Sequence, residues 1–289
     1  MYTLFTIGNE KVALVTDTSC DLSEEQLRQY DIRTVALRIA TSRGELRDRL
    51  EINPDSLYAL MKTELPKTSL PLPEDVSSLY RSLAEEGCTR ILHVTISSGL
   101  SGTYNMVRMV AADFDTLQID VVDSQTLSCG LGLLVLEAAE GLQRGETVDE
   151  VIERVKYLRS TQLGTFVIRT LEYLRKGGRI GLVEGVVGSL LQIKPVIFVN
   201  DDGVYQTLVK ARGFTKALDA MCDEFFRRYE GKLVRVAIVH GNAYDDALIL
   251  QKKFEQSLNV TTSFISPVSP ALAIHTGEGL LGAIVQYAN

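Results

Sequence analysis

Ser97-Ser98-Gly99-Leu100-Ser101-Gly102-Thr103 places four hydroxyls and two glycines within seven residues. The run joins an apolar, β-branched stretch (Arg90–Ile96) to a helical pattern (Gly102–Phe114). A strand-to-helix junction of this kind offers unpaired N–H groups, hydroxyl donors and close backbone approach, which together suit an anion. A plain N-cap by Ser98 or Ser101 is the competing reading, although the hydroxyl density exceeds what a cap needs. His275, beside Thr276 in Ala273-Ile274-His275-Thr276-Gly277, is an acid/base candidate or a hydrogen-bonded core residue. Pro66-Lys67-Thr68-Ser69-Leu70-Pro71 reads as a turn-rich connector between two helices, with Thr68 or Ser69 closing a turn or facing a ligand. Asp17 and Asp123 each follow a strand and are explained by capping or by a ligand. Arg175 and Lys176 complement the end of a helix stopped by Gly177-Gly178; Arg179 falls beyond the glycines and outside that explanation.

Other chemistries lose ground. Gly277-Glu278-Gly279-Leu280-Leu281-Gly282 matches a dinucleotide fingerprint, but only seven residues follow it, too few for a helix and a ribose-binding acid. The sole Gly-Lys pair, Gly231-Lys232, precedes Leu233, so no Walker loop is present. Ser101 lacks the Gly-x-Ser-x-Gly frame of a nucleophile elbow. His93, His240 and His275 are widely spaced, and Cys20, Cys88, Cys129 and Cys222 form no C-x-x-C pair. That excludes a zinc framework and fits a reducing compartment. A formal charge of −7 argues against nonspecific nucleic-acid binding. No basic-then-apolar leader pattern and no membrane-spanning run are visible, so a cytoplasmic protein without cofactor or metal is expected.

These residues need elements to hold them. Strands are expected at Val12–Thr16, Arg90–Ile96, Ile119–Val122, Thr165–Ile168, Val234–His240 and Val260–Ile265. Helices are expected at Ser23–Tyr30, capped by a Ser23/Gln26 box, at Pro73–Glu86, Gly102–Phe114, Leu131–Leu142, Val148–Leu158, Thr170–Lys176, Thr215–Tyr229 and Tyr244–Leu258. Asn200-Asp201-Asp202-Gly203, between Ile193–Val199 and Tyr205–Val209, signals a hairpin. The rhythm changes near residue 160. Two α/β domains are expected: residues 1–160 with a mostly parallel sheet and the Ser/Thr site, residues 161–289 with a mixed sheet.

Taken together, these segments resemble the DegV family of fatty-acid-binding proteins over nearly the whole chain. The likeness rests on Asp17-Thr18-Ser19-Cys20-Asp21-Leu22, Lys67-Thr68-Ser69-Leu70-Pro71, Ser97–Tyr104 and Val122-Asp123-Ser124. It continues through Leu171–Ile180, Ile193-Lys194-Pro195-Val196, Gly203 with Lys210 and Arg212, and His275-Thr276-Gly277. The resemblance implies a long-chain fatty acid held between the two domains, its tail in an apolar pocket and its carboxylate on hydroxyls and a histidine network. By motif, the head-group residues are Thr68, Ser69, Ser101 and His275, with Ser97, Ser98, Gly102 and Thr276 beside them. It further implies a non-enzymatic carrier that presents the carboxylate to a separate kinase for conversion to an acyl phosphate, in phospholipid metabolism. Arg179 and Arg212 then face the kinase or the new phosphate, with Arg179 outside the pocket. Three departures stand out: Glu278 where the family often has proline, Leu72 where a serine often follows Pro71, and Arg47-Asp48-Arg49 in place of a tyrosine-containing segment. The alternative is an enzyme or metabolite sensor that takes a small anion at His275 and the Ser97–Thr103 turn.

Overall fold

The computed structural model describes residues 3–186 and 193–288. A first sheet runs in the order Phe5–Ile7, Glu10–Asp17, Arg90–Thr95, Gln118–Asp123, and Ile32–Val35 pairs with the second half of Glu10–Asp17. All of its pairings are parallel except the short Phe5–Ile7 hairpin. Its central strands are buried on both faces, which is why they read as unbroken apolar runs. Ala13, Val15 and Ile91 pack against helices Pro73–Glu85 and Thr103–Ala111, whereas Val12, Leu14, Leu92 and Val94 point the other way.

That other face meets helix Cys129–Gln143, which is apolar on nearly every side and buried around its whole circumference. Gly132 lets it press against the turn Thr18–Cys20 that follows strand Glu10–Asp17: a Cβ there would lie 2.5 Å from the Cys20 carbonyl oxygen. Behind this helix stands a six-stranded sheet in the order Tyr205–Arg212, Ile193–Val199, Leu163–Val167, Leu281–Tyr287, Leu233–His240, Asn259–Pro267. Only the last pair is parallel. Helices Phe214–Arg228 and Tyr244–Ser257 cover its outer face through Met221, Phe225 and Phe254. Its inner face (Phe166, Ile197, Val239, Ile284) joins the same core cluster as the central helix and the first sheet.

The α/β class and the mixed second sheet follow the sequence expectation. The Ser23/Gln26 capping box forms, and the hairpin turns at Asn200–Gly203 with Gly203 at φ +74°. Several elements differ, among them the unanticipated strands Phe5–Ile7, Ile32–Val35, Arg38–Thr41 and Gly44–Arg47. Lys67–Ser69 is a strand, not a connector, and pairs with Arg38–Thr41 in a small three-stranded sheet completed by Gly44–Arg47. Its three polar residues carry no apolar period, so only the partner strand makes them a strand. Helix Pro270–Thr276 and strand Leu281–Tyr287 were not anticipated either. Both are so fully buried that neither shows an amphipathic period, and the glycines between them resemble a loop motif.

A candidate ligand cavity between the sheets

Three cavities adjoin one another, running from between the two large sheets out to the small sheet and the end of helix Glu172–Lys176. The innermost is narrow, about 40 Å³, and its walls include Gly164, Phe166, Val199, Val239, Val268 and Ile284. It shares Leu127, Tyr205 and Leu272 with a middle cavity of about 240 Å³, also bounded by Thr68, Ser69, Ser101, Arg179 and His275. The middle cavity in turn shares Thr68, Arg179 and His275 with an outer one of about 190 Å³, where Lys67 and Lys176 appear. Polarity therefore rises from an apolar end, through hydroxyls and an imidazole, to three cationic side chains.

His275 occupies the last turn of helix Pro270–Thr276 and is 7% exposed. Thr68 reaches it from the small sheet, where it pairs with Ile39, and Thr68 Oγ1 lies 2.9 Å from His275 Nε2. Burial pushes the imidazole pKa down to about 4, and the nearby Arg179 charge pushes in the same direction. The ring is neutral near pH 7. Its Nδ1 has no partner, and a buried acceptor without a donor is tolerated better than a buried N–H without an acceptor. That assigns the proton to Nε2, donating to Thr68 Oγ1 and leaving the threonine hydroxyl hydrogen free to donate into the cavity. NMR titration of the His275 imidazole is therefore expected to show protonation only near pH 4. Since the folded pKa lies below the unfolded value, this group supports stability at neutral pH and withdraws it as pH falls from about 6.5 towards 4. A midpoint near 6.5 would show that the ring is solvated and the cavity open.

Two glycines lock the ring in place. A Cβ on Gly177 would lie 2.1 Å from His275 Nδ1, and one on Gly277 would lie 2.5 Å from the Tyr173 ring. The end of helix Glu172–Lys176 and the histidine helix thus pack against each other with no atom to spare.

The candidate residues from the sequence divide. Thr68, Ser69, Ser101 and His275 converge on the middle cavity. Ser101 Oγ lies 2.8 Å from Thr103 Oγ1 and also accepts from Thr103 N, so it is oriented by the start of its helix. Gly102 caps that helix, and a Cβ there would meet only Leu70 at 3.5 Å. Thr276 lines the apolar cavity, with its hydroxyl directed to Leu272 O.

Ser97 and Ser98 need correcting, for they line none of the three cavities. Ser97 Oγ donates to Gly203 O at 2.7 Å and accepts from Gly99 N, while Ser98 is exposed and its N–H reaches Asp123. The Asn200–Gly203 hairpin fills the space above the serines: a Cβ on Gly99 would come within 2.9 Å of Asp202 O and Gly203 O. This half of the turn is a joint between the two halves of the chain. Asp123 ties this turn from its own side, accepting from Ser98 N and Gln125 N.

Arg179 is corrected in the opposite direction. It lines both the middle and the outer cavity instead of standing outside, held by a 2.8 Å bond to Gly177 O. Arg212 ends strand Tyr205–Arg212 opposite Ile193 and lines none of the cavities. His93 is buried and bonded to Tyr80, as a core histidine. Apart from Thr276, sequence reasoning named none of the apolar cavity's walls, because Phe166, Tyr205, Leu272 and Ile284 look like any core residues. No helix among the described residues is long and apolar enough to cross a membrane.

Comparison with known proteins agrees with this architecture. The model of the DegV family matches residues 11–288. A DegV domain-containing protein of Clostridium acetobutylicum is 37% identical over 276 residues, 96% of this chain and 99% of that one. The structure of a DegV family protein from Thermus thermophilus, described for its fatty acid binding, superposes with a TM-score of 0.91 at 31% identity, covering 96% and 99% of the two chains. A stearic acid-binding protein from Eubacterium ventriosum superposes with a TM-score of 0.88 at 26% identity, over 96% and 98%. With a family model spanning nearly all its residues and a relative of this identity along its whole length, the chain belongs to the DegV family.

Proposed function

We propose that the protein binds one long-chain fatty acid, tail inward along the apolar cavity and carboxylate at Thr68, Ser69, Ser101 and His275, and presents it to a separate kinase. The observation that carries this reading is the continuity of the three cavities, ordered from apolar to hydroxyl-lined to cationic. The fatty-acid ligands named for the Thermus and Eubacterium relatives support it. Burying about 14 methylenes yields roughly 11 kcal/mol gross, of which ordering and immobilisation remove a large part. The tail sets affinity, and the hydroxyls fix which oxygen faces outward. Lys67, Lys176 and Arg179 then face the carboxylate across the outer cavity, where a phosphoryl group would arrive. The enzyme alternative is weaker: His275 Nδ1 has no group to orient it, and a ring neutral down to about pH 4 is a poor proton shuttle at neutral pH.

Native mass spectrometry of the purified chain tests the reading, with a one-to-one fatty acid mass expected. Failure of delipidated protein to bind any C14–C18 acid would refute it. Thr68→Val removes one head-group donor and is expected to weaken binding by about 1–3 kcal/mol without abolishing it. Because Arg179 lines the head-group cavity, Arg179→Ala is expected to lower both affinity and kinase-coupled acyl-phosphate formation. A loss of turnover alone would put Arg179 in the docking surface only.

A further inference from the structure

Helix Pro270–Thr276 has no cap of its own: the Ser269 side chain bonds none of its amides. Two distant carboxylates take that role. Asp21 Oδ1 accepts from Ser269 N at 2.9 Å and Asp48 Oδ1 accepts from Ala271 N at 3.0 Å, across 248 and 223 residues of sequence. Both carboxylates are fully enclosed, at 1% and 0% exposure. Asp21 adopts a left-handed backbone (φ +52°), binds Ser128 Oγ through its other carboxylate oxygen, and accepts from Ser266 Oγ at its carbonyl. One residue thus ties together the start of the central helix, the end of strand Asn259–Pro267 and the start of the histidine helix. Asp48 Oδ2 makes no hydrogen bond of full geometry, and the neighbouring Thr18 hydroxyl only partly offsets the burial of the carboxylate.

We propose that Asp21 and Asp48 are positioning residues for the head-group site: they seat the histidine helix from its N-terminal end, and the charge state of the pair governs how fast ligand exchanges. The helix is short and stiff. At a rise of about 1.5 Å per residue, His275 lies roughly 6 Å from Ala271, so a shift at one end is transmitted to the 2.9 Å contact between His275 and Thr68 at the other. The lining residues Ala271 and Leu272 move with it.

Burial raises Asp48 to about 7, aided by the Asp21 charge, and raises Asp21 to about 6. Other charged and titratable groups surround the pair, and burial raises the Asp17 carboxyl as well. The Arg49 guanidinium favours the ionised form of both carboxylates. Cys20, Cys129, Tyr58 and Tyr205 all sense the Asp21 charge, and burial holds each of them neutral. Asp17 has its own partners in Ser19 and the Ile96 amide. Unseating the helix returns Asp21 and Asp48 to water and to the ordinary carboxylate range, so the seated form binds protons that the unseated form releases. Seating is favoured at low pH and weakens as pH rises through 6 to 7.

The proposal rests on the fatty-acid reading, and one experiment separates the two. Displacement of a fluorescent C16 fatty acid by excess palmitate is followed by stopped flow on the full chain. The wild-type dissociation rate is expected to rise at least about fivefold between roughly pH 6 and 8.5. Asp48→Asn keeps an acceptor for Ala271 N but cannot ionise, so a pH profile clearly flatter than that of the wild type is expected, with only the smaller Asp21 step remaining; Asp48→Leu should lose affinity and shift the His275 imidazole resonance. An Asp48→Asn profile that follows the wild type would overturn the inference, as would a normal His275 resonance in Asp48→Leu. Carboxyl-carbon NMR of the wild type gives a check that needs no variant: Asp48 titrating near 7 supports the proposal, and titration near 4 refutes it. If the wild type bound no fatty acid, the reading of the ligand itself would fail instead.

Discussion

Gly164→Leu is expected to weaken binding of C16–C18 acids by about two orders of magnitude while the protein still folds. Gly164 lies on strand Leu163–Val167 with its inward face lining the apolar cavity, opposite Ile284. A Cβ there meets only Ile284 Cγ1 at 3.4 Å, an ordinary contact, so the backbone tolerates a side chain. The leucine would occupy space for about four methylenes, worth roughly 3 kcal/mol or about 200-fold in affinity. Shorter acids should suffer less, since their tails end before the obstruction. Calorimetric titration of C10 to C18 acids against the wild type and this variant gives the answer. A uniform loss at every length would mean that the tail does not run past Gly164.

Gly177→Ala should act at the other end of the ligand. The residue has right-handed backbone angles (φ −78°), so alanine fits its conformation, and helix propensity favours the change by about 1 kcal/mol. The added carbon would nonetheless lie 2.1 Å from His275 Nδ1. The ring is buried and bonded to Thr68, so it must leave its place or strain its helix, at a cost of about 1–3 kcal/mol. These opposing terms leave thermal stability changed by little. Head-group bonding, by contrast, loses the Thr68–His275 arrangement, and affinity is expected to fall about 10- to 100-fold. Melting temperature measured beside fatty-acid affinity distinguishes the outcomes. Unchanged affinity would show that the imidazole does not orient Thr68.

The proposed pocket was only partly legible in the sequence, for reasons that differ between residues. Thr68 and His275 are 207 residues apart, and no periodicity connects them. Motif resemblance put both in the head-group set, and folding brought their side chains to 2.9 Å. Ser97 carried the same local signal as Ser101, yet the two have opposite fates. The hairpin that covers Ser97 lies more than a hundred residues away, and a serine's hydroxyl has no means of encoding whether it meets a ligand or a carbonyl. Motif resemblance placed Arg179 outside the pocket, facing the kinase or the new phosphate. The structure folds its loop back against His275 through Gly177.

By itself, the sequence determined the α/β class, most strands and helices, the capping box at Ser23 and the hairpin at Asn200–Gly203. These depend on local apolar spacing, caps and turn residues, which act within a few positions of chain. Only the tertiary structure decided that Lys67–Ser69 is a strand, that Cys129–Gln143 is an interior helix between two sheets, and that Pro270–Thr276 is seated by Asp21 and Asp48. A short polar strand exists only by virtue of its partner, and a helix buried on all sides has no polar face to mark its direction. A carboxylate serving a helix more than two hundred residues away leaves no trace in local pattern, because the hydrogen bond is made by proximity in space alone.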